Sequence, residues 1–409
     1  MNKMKKVPEI RFKEFAEDWE NTDASIIFKT YFDKNHPDLP VLSASQEYGM
    51  IIREDVGFKV QHNKENEAGY KRVLPGQFVI HLRSFQGGFA HSDVEGITSP
   101  AYTIIEFRDK SQQDDIFWKY VLTSKEFIKR LETVTYGVRD GRSISFEDFS
   151  ELGFNVPDIK EQRKIGKTLT VIDTLIRKLE QKLEKLRNIK QSLLNQMFVN
   201  VNRGGYAPLI RFNGYNNKWI MLTLNDISER ITRKNTNNES SLPLTVSAQY
   251  GLINQNDFFN SRIASKDVSG YYLIKNGEFA YNKSSSDGYP FGAVKRLDRY
   301  KMGVLSTLYI IFALNKDKID SDFLSIFFET DKWYEHISQR AAEGARNHGL
   351  LNISSEDFLD LKILTPKSKN EQNLIAGYVS ALGRLVEGTS SKLTKLRTMK
   401  QSLLQKMFV

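Results

Sequence analysis

Three pairs of short polar segments contain the side chains best suited to bind a ligand. Each segment contains or adjoins glycine, is short of apolar anchors and has a counterpart at the equivalent place in the other half of the chain. Their Arg, Lys, Asn, Gln and Ser side chains are of the types that hydrogen-bond to the edges of nucleic-acid bases. The pairs are 43–48 with 247–250, 81–88 with 282–289, and 136–142 with 344–349.

These segments supply our candidate DNA-binding residues. In the first half of the chain they are Ser45, Gln46, Tyr48, Arg83, Ser84, Gln86, Arg139 and Arg142. In the second half they are Gln249, Tyr250, Asn282, Lys283, Ser285, Tyr289, Arg346, Asn347 and His348. The alternative for any one of them is an ordinary surface turn, because glycine and polar residues are common in turns. The strongest individual candidates are Arg83, Arg139, Arg142, Lys283 and Arg346.

The sequence contains no motif of an enzyme active site. There is no G-x-x-x-x-G-K-[ST] phosphate-binding loop, because Glu161 occupies the first glycine position before the sequence Ile165–Thr168. The six His include no H-x-x-x-H or H-E-x-x-H spacing, and the chain has no Cys. We therefore predict no catalytic residue, no metal site and no cofactor bound by this chain.

The chain is an internal duplication. Residues 185–199, KLRNIKQSLLNQMFV, recur as residues 395–409, KLRTMKQSLLQKMFV. A period of roughly 200 residues is far too long for a solenoid repeat, so the 409 residues form a tandem of two whole domains. Two similar units can face a partner with two similar faces, and duplex DNA is such a partner. The openings of the copies recur as well: Pro8, Ile10, Arg11, Phe12 and Trp19 return as Pro208, Ile210, Arg211, Phe212 and Trp219.

Each copy ends in a segment whose apolar residues alternate by four and three positions. This spacing is the a/d pattern of a coiled coil. We predict that the two helices pair as an antiparallel coiled coil and hold the globular parts at a fixed separation. The alternative is that each helix packs on its own domain. The predicted seam residues are Ile165, Leu169, Ile172, Ile176, Leu179, Leu183 and Leu186 in the first helix, and Ile375, Val379, Leu382, Val386, Leu393 and Leu396 in the second, with Lys190 and Lys400 as polar interruptions.

The remainder of each copy predicts a mixed α/β (α+β) globular domain. Short apolar runs bounded by Gly, Pro and Asn indicate strands, and Trp19 and Trp219 are expected in the cores. The clearest predicted strands are Phe78–Leu82, Tyr102–Phe107, Phe279–Tyr281 and Gly303–Ala313, and the predicted helices are Ile116–Leu131 and Phe323–Ile337. The predicted domains are 1–159 and 201–369, followed by coiled-coil helices at 160–200 and 370–409.

Charge and hydropathy limit the class of protein. The net charge is +9, but residues 160–199 and 370–409 carry +6 and +4, so the other residues sum to −1. DNA binding by the globular parts must therefore depend on local patches. No run of 18 apolar residues is present, the N-terminus lacks the apolar stretch of a signal peptide, and the absence of Cys agrees with a cytoplasmic protein.

Three recurring motifs resemble the specificity (S) subunits of Type I restriction-modification systems. They are the P-x-I-R-F…W openings, the pairs Glu161-Gln162 and Glu371-Gln372, and the two K-L-R-x-x-K-Q-S-L-L tails. The resemblance implies that the two globular parts are target recognition domains, each reading half of a bipartite, asymmetric DNA site. It also implies that the paired helices set the spacer.

The same resemblance implies partners for a chain that is itself not an enzyme. Two methyltransferase (M) subunits would dock on the helices and methylate adenine with S-adenosylmethionine. Two restriction/motor (R) subunits would join for restriction and use ATP and Mg. Two alternatives remain open from the residues alone: a stand-alone DNA-binding or architectural protein, and a protein scaffold that does not bind DNA.

We expect Arg83→Ala and Arg346→Ala each to weaken binding to the cognate DNA by about 1–3 kcal/mol if the guanidinium contacts a guanine edge. The measurement is a binding titration on cognate and scrambled duplexes. A uniform loss on both duplexes with a shallower salt dependence would instead assign that arginine to a phosphate.

Overall fold

The computed structural model describes residues 7–45, 48–56, 64–81, 88–134, 145–200, 205–260, 264–341 and 350–408. The chain divides into two compact units. Unit 1 comprises Met1–Gln181 and Ser391–Val409, and unit 2 comprises Lys182–Ser390. Each unit therefore combines the globular part and the beginning of the long helix of one copy with the end of the long helix of the other copy.

Unit 1 is a mixed α/β domain. Its strands are β1 (Glu20–Asp23), β2 (Phe28–Tyr31), β3 (Leu42–Ser45), β4 (Gly49–Ile52), β5 (Lys71–Val73), β6 (Phe78–Ile80), β7 (Phe89–His91), β8 (Gly96–Thr98), β9 (Thr103–Phe107) and β10 (Gly153–Val156). Its helices are α1 (Ala24–Ile27), α2 (Asp115–Leu122), α3 (Lys125–Val134), α4 (Phe146–Ser150) and the start of α5 (Ile159–Met197), with 3-10 turns at Arg53–Val56 and Lys64–Gly69.

Unit 2 repeats this order of elements. Its strands are β11 (Ile220–Thr223), β12 (Ser228–Ile231), β13 (Leu244–Ser247), β14 (Gly251–Asn254), β15 (Tyr272–Lys275), β16 (Phe279–Asn282), β17 (Ala293–Arg296), β18 (Met302–Leu305), β19 (Ile310–Leu314) and β20 (Lys362–Thr365). Its helices are α6 (Leu224–Ile227), α7 (Gln255–Phe259), α8 (Ser321–Phe327), α9 (Tyr334–Arg340), α10 (Ser355–Leu359) and the start of α11 (Lys369–Lys406).

The two units share one sheet topology, which confirms the predicted mixed α/β fold. The described part of unit 1 has a four-stranded antiparallel sheet in the order β2-β9-β6-β7 and strand pairs β1-β10, β3-β4 and β5-β8. Unit 2 has the same arrangement, with the order β12-β19-β16-β17 and pairs β11-β20, β13-β14 and β15-β18. The duplication read from the sequence is therefore a duplication of the whole fold.

Alternation along the central strands sends side chains to opposite faces of each sheet. In unit 1, Phe78 and Ile80 enter an aromatic core with Trp118 and Phe149, whereas Val79 enters a second cluster that is covered by the β3-β4 pair. Trp19 and Trp219 are buried, as the sequence predicts.

Several predicted elements are shorter than expected. The helix predicted at Ile116–Leu131 is two helices. Thr123 ends the first, where its Oγ1 donates to the Lys119 carbonyl, and Ser124 starts the second, where its Oγ accepts from Phe127 N. The helix predicted at Phe323–Ile337 is likewise split into α8 and α9. The strand predicted at Gly303–Ala313 is two strands, β18 and β19, that belong to different sheets.

A buried glutamate fixes the start of each long helix to its globular domain. Glu161, which is 1% exposed, accepts hydrogen bonds from Arg11 at 2.8 and 2.7 Å and from the Trp19 indole at 3.2 Å. The hydrogen bond to Glu161 raises the pKa of Arg11 above its usual value. A bidentate guanidinium–carboxylate pair fixes orientation as well as distance, so this contact sets the direction in which α5 leaves the domain.

The neighbouring glutamine adds a second tie. Gln162 Oε1 accepts from the backbone N of Asp114 at 3.0 Å, and its Nε2 donates to the Pro157 carbonyl at 2.9 Å. Unit 2 repeats the whole set. Glu371 binds Arg211 at 2.6 and 2.9 Å and Trp219 at 3.3 Å, and Gln372 accepts from Asp320 N at 2.7 Å.

The end of each long helix completes the core of the unit built on the other copy. In unit 1, Met407 is buried in the aromatic core, and Leu403, Leu404 and Phe408 pack against it. In unit 2 the core includes the end of α5, with Leu194, Met197, Phe198 and Val199. The duplicated K-Q-S-L-L-x-x-M-F sequence is therefore part of two hydrophobic cores.

Polar contacts give the direction of the helix segments inside unit 1. Lys400 lies 2.5 Å from Asp173, and Arg397 lies 2.5 Å from Glu180. Residue numbers fall along α11 as they rise along α5, so the two segments run antiparallel within this unit. In unit 2, Lys190 pairs with Glu329 of the globular part at 2.7 Å.

The predicted seam residues are all buried or half-buried. Ile165 and Leu169 belong to the core of unit 1, and Ile375 and Val379 belong to the core of unit 2. The first turns of each helix therefore pack on their own domain, as the alternative interpretation expects. The pairing of the helices as a coiled coil along their length remains a prediction.

Glu161→Gln should lower the free energy of unfolding by about 3 kcal/mol, because it leaves the Arg11 guanidinium without its carboxylate in a largely buried site. Urea unfolding of the full-length chain measures this, and Glu371→Gln should act similarly in unit 2. Glu184→Gln on the exposed surface of α5 is the control. Equal stability of Glu161→Gln and the control would contradict the assigned role.

Candidate nucleic-acid interface

In unit 1, the first polar segment forms the turn of the β3-β4 hairpin. Tyr48 N donates to Ser45 Oγ at 3.2 Å, and the Tyr48 side chain is 62% exposed. Gly49 has a φ of +74°, and a β-carbon there would lie 2.3 Å from the His91 carbonyl oxygen. Glycine is required here because the turn is pressed against β7 and has a left-handed backbone.

The two described ends of the second segment of unit 1, His81 and Gly88, adjoin strands β6 and β7, and β7 lies next to the first segment. His81 N donates to the Gly88 carbonyl at 2.8 Å and closes the hairpin between β6 and β7. A parallel bridge between Met50 and Ser92 joins β4 to the end of β7. The structure therefore brings the described ends of the first two segments together.

Nine of the predicted DNA-binding residues lie outside the described residues. They are Gln46, Arg83, Ser84, Gln86, Arg139, Arg142, Arg346, Asn347 and His348. Their DNA contacts remain predictions.

In unit 2, the turn between β13 and β14 repeats the geometry of the first segment. Tyr250 N donates to Ser247 Oγ at 3.2 Å, and the Tyr250 side chain is 56% exposed. Gln249 beside it is also exposed. Both side chains are therefore available to a ligand.

Asn282 joins the second segment of unit 2 to the first. Its Nδ2 donates to the Val246 carbonyl at 3.2 Å, and its Oδ1 accepts from Ser284 N at 3.0 Å. Both ends of this amide therefore bind within the fold, so its first role is to position the segment.

Lys283 joins the same segment to the residue range that follows the third segment. Its carbonyl accepts from Leu351 N at 3.0 Å, and its Nζ donates to the Ile353 carbonyl at 3.4 Å. Ser284 also bridges to Leu350. Unit 2 thus joins its first two segments to residues 350–353, which follow the third segment in the chain, with Ser285 exposed and Tyr289 half-buried.

The arrangement suits hydrogen bonding to a ligand. In the described ranges no group of three or more His, Cys, Asp or Glu side chains could hold a metal ion. Among the helices that the structure describes, none combines the length and the apolar character needed to cross a bilayer. Exposed tyrosine, glutamine and serine side chains next to tightly fixed turns are suited to reading a surface that presents donors and acceptors, as a DNA groove does.

Comparison with known proteins identifies the family. Residues 5–188 match the family model of the Type I restriction modification DNA specificity domain. Residues 201–409 repeat the motifs and the topology of that stretch. The chain therefore contains, in residues 5–188, a DNA specificity domain of the Type I restriction-modification family, which its second half repeats. It is a DNA-recognition subunit, and an S subunit is a non-catalytic component, so a scaffold that does not bind DNA is not the correct alternative.

The fold agrees with this membership. The S subunit of a Type I restriction-modification system from M. genitalium aligns over 98% of this chain and 99% of its own, with a TM-score of 0.59 and 15% identity. An HsdS subunit from Thermoanaerobacter tengcongensis covers 95% and 96% of the two chains at 13% identity, with a TM-score of 0.46. A chain from a study of complex assembly and conformational transition in the type I R-M system covers 95% and 97% at 13% identity, with a TM-score of 0.48.

Sequence reasoning missed one cation at the interface of this S subunit. Arg53 Nε donates to Ser43 Oγ at 3.0 Å, and Arg53 N donates to the Val41 carbonyl. The guanidinium therefore lies across the β3-β4 hairpin from the first segment. The signal was available, because a hairpin register that pairs Leu42 with Ile52 places position 41 opposite position 53.

Tyr250→Ala should affect DNA binding, whereas Asn282→Ala should affect stability. Tyr250 is exposed, so its loss should weaken DNA binding and leave the unfolding temperature unchanged. Asn282 binds the backbone at both ends, so its loss should lower the free energy of unfolding by about 1–2 kcal/mol. DNA titrations and thermal unfolding measure the two effects. A destabilised Tyr250→Ala variant would contradict this division.

Proposed function

We propose that each unit reads one half of a bipartite, asymmetric DNA site. The observation that carries the proposal is one topology with unlike side chains at equivalent places. The second segment has the sequence HLRSFQGG in unit 1 and NKSSSDGY in unit 2, although both begin at the ends of the equivalent strands β6 and β16. Base pairs are distinguished by the donors and acceptors that meet them. Two readers with different side chains recognise different sequences, so the site is not a palindrome.

The long helices set the spacer between the two half-sites in this proposal. Support comes from their length and from the way their ends are fixed. Helix α5 has 39 residues, or about 58 Å at 1.5 Å per residue. The Glu161–Arg11 and Glu371–Arg211 pairs make each helix start rigid with its own domain. A rigid separation between two readers is the geometric basis of half-site spacing.

The helices also dock two methyltransferase subunits, which carry the chemistry. The support is a set of apolar side chains that stay exposed outside the predicted seam. Leu175 and Leu385 occupy the same repeat position, as do Ile189 and Met399, and all four are exposed. Exposed apolar positions that recur in both copies indicate a partner that binds twice. S-adenosylmethionine is then used by those subunits, and ATP and Mg by two restriction subunits.

The helix surface is tested by co-expressing the full chain with the methyltransferase subunit. Leu175→Lys and Leu385→Lys should each remove about one of two bound methyltransferase subunits, because an ammonium cannot be buried without a partner. Light scattering after size exclusion measures the stoichiometry. Ile26→Lys, at an exposed apolar position of the globular part of unit 1, is the control.

Two results would overturn the proposal. One is a full complement of methyltransferase subunits on both helix variants. The other would come from DNA footprinting and sequencing of methylated adenines. We expect these experiments to reveal two short recognised stretches separated by a gap that is not read. A single uninterrupted motif would refute the bipartite arrangement.

A further inference from the structure

An exposed aromatic ring lies between two cations just beyond strand β2. Phe32 is 70% exposed. The Lys34 ammonium lies 5.1 Å from the centre of its ring, and the Lys71 ammonium lies 5.8 Å from it. We call Phe32, Lys34 and Lys71 the Phe32 patch. A single exposed ring needs no explanation, but a ring with two ammonium groups beside it presents an apolar face and positive charge to a ligand.

The charge of the patch is not neutralised within the part of the chain that the structure describes. Neither lysine forms an ion pair there, although Asp33 is next to Lys34 in the sequence. Asp33 instead binds His36 at 2.9 Å, Arg72 at 3.3 Å and Tyr31 at 3.2 Å. Burial lowers the pKa of Lys71, and the neighbouring Lys34 lowers it further. An anion placed beside both ammonium groups would relieve this repulsion.

The Phe32 patch adjoins the second polar segment of unit 1. Lys71 Nζ donates to the Tyr102 carbonyl at 2.6 Å, and the Tyr102 ring lies 6.1 Å from the ring of His81. His81 is the last described residue before 82–87 and forms the base of that segment. An anion bound at the patch would therefore lie close to whatever the segment reads.

Unit 2 has a cation and an aromatic ring at the equivalent place. The Lys234 ammonium stands 4.3 Å from the centre of the Tyr272 ring, and Lys234 is exposed. Lys34 and Lys234 both follow the strand that forms one edge of the central sheet, β2 or β12. Lys71 and Tyr272 begin the equivalent strands β5 and β15. The same pairing has therefore been kept in both units with different residues.

We propose that the Phe32 patch and the Lys234–Tyr272 pair bind the DNA backbone beside each half-site. The ammonium groups contact phosphates, and the rings pack on the adjoining deoxyribose. Phosphate contacts fix a protein on the duplex without reading bases. The inference rests on the proposed function, in which each unit reads one half-site. DNA is favoured over a protein partner because, among the described residues, cations without an ion pair recur at equivalent places in both units, and those of unit 1 adjoin a reading segment.

Lys34→Gln and Lys234→Gln test the proposal. The full chain is purified with its methyltransferase subunits. Affinity is measured by fluorescence anisotropy at several salt concentrations, on a duplex that contains the site found by sequencing methylated adenines and on a shuffled duplex. Each variant should bind both duplexes about fivefold to tenfold more weakly at 0.1 M salt, with a log–log salt slope shallower by about 0.9. The double variant should lose about twice that slope.

Two further variants separate the roles. Phe32→Ala should weaken binding to both duplexes without changing the salt slope, because it removes no charge. Lys125→Gln makes the same charge change at an exposed position on α3 and should leave affinity and slope unchanged.

Three outcomes would overturn the inference. The lysine variants could have the salt slope of the Lys125→Gln control. They could lose affinity for the cognate duplex alone, which would make the contact a base contact. They could also release a protein subunit with DNA affinity unchanged, which would make the patch a protein-binding surface. If the wild-type complex binds neither duplex, the proposed function fails and not this inference alone.

Discussion

The organisation of both units depends on a carboxylate that has been removed from water. Glu161 lies at the start of α5, and Arg11 comes from a segment 150 residues earlier in the chain. A buried carboxylate without a cation is strongly unfavourable, so the opening segment must return to the helix before the unit is complete. The Trp19 indole adds a donor from the same opening segment. The helix and the sheet thus meet at one defined angle, and the polar segments are held relative to the helix.

The organisation of both units also depends on apolar packing of the helix ends. The tail of α11 supplies Met407 to the core of unit 1, and the tail of α5 supplies Met197 to the core of unit 2. Neither copy of the repeat contains all the residues of one core. The similar sequences of the two tails follow from this, because each tail must fit a similar aromatic core. A helix that is fixed at its start by a salt bridge and at its end by core packing has little freedom in between.

Local sequence patterns predicted most of the architecture. The repeat gave two similar domains, the four–three spacing gave two long helices, and short apolar runs gave the mixed α/β class. The predicted elements were wrong where the hydrogen bonds of a single side chain interrupt the apolar periodicity. Thr123 and Ser124 bind the backbone and divide one apolar periodicity into two helices. The Glu161–Arg11 pair joins residues far apart in sequence. The motifs that contain the two residues were visible in the sequence, but the contact between them was not.

The candidate interface divides in the same way. Glycine and polar residues located the segments, and the structure joins the first two segments of unit 2 through Asn282. The role of each side chain depended on contacts that no local pattern contains. Asn282 has the type of a base reader, yet both ends of its amide bind the fold. Arg53 was overlooked because its proximity to Ser43 arises from hairpin register.

The seam lysines make the two halves non-interchangeable. Lys400 takes its carboxylate from a helix, at Asp173, whereas Lys190 takes its carboxylate from a globular part, at Glu329. A chimera that replaces the first globular part leaves the Lys400 pair intact. Grafting a foreign second globular part without an acid at that position strands Lys190 beside Gly383, which has no side chain to offer. Exchange of the second globular part therefore breaks one partly exposed ion pair, worth up to about 1 kcal/mol, that exchange of the first leaves in place.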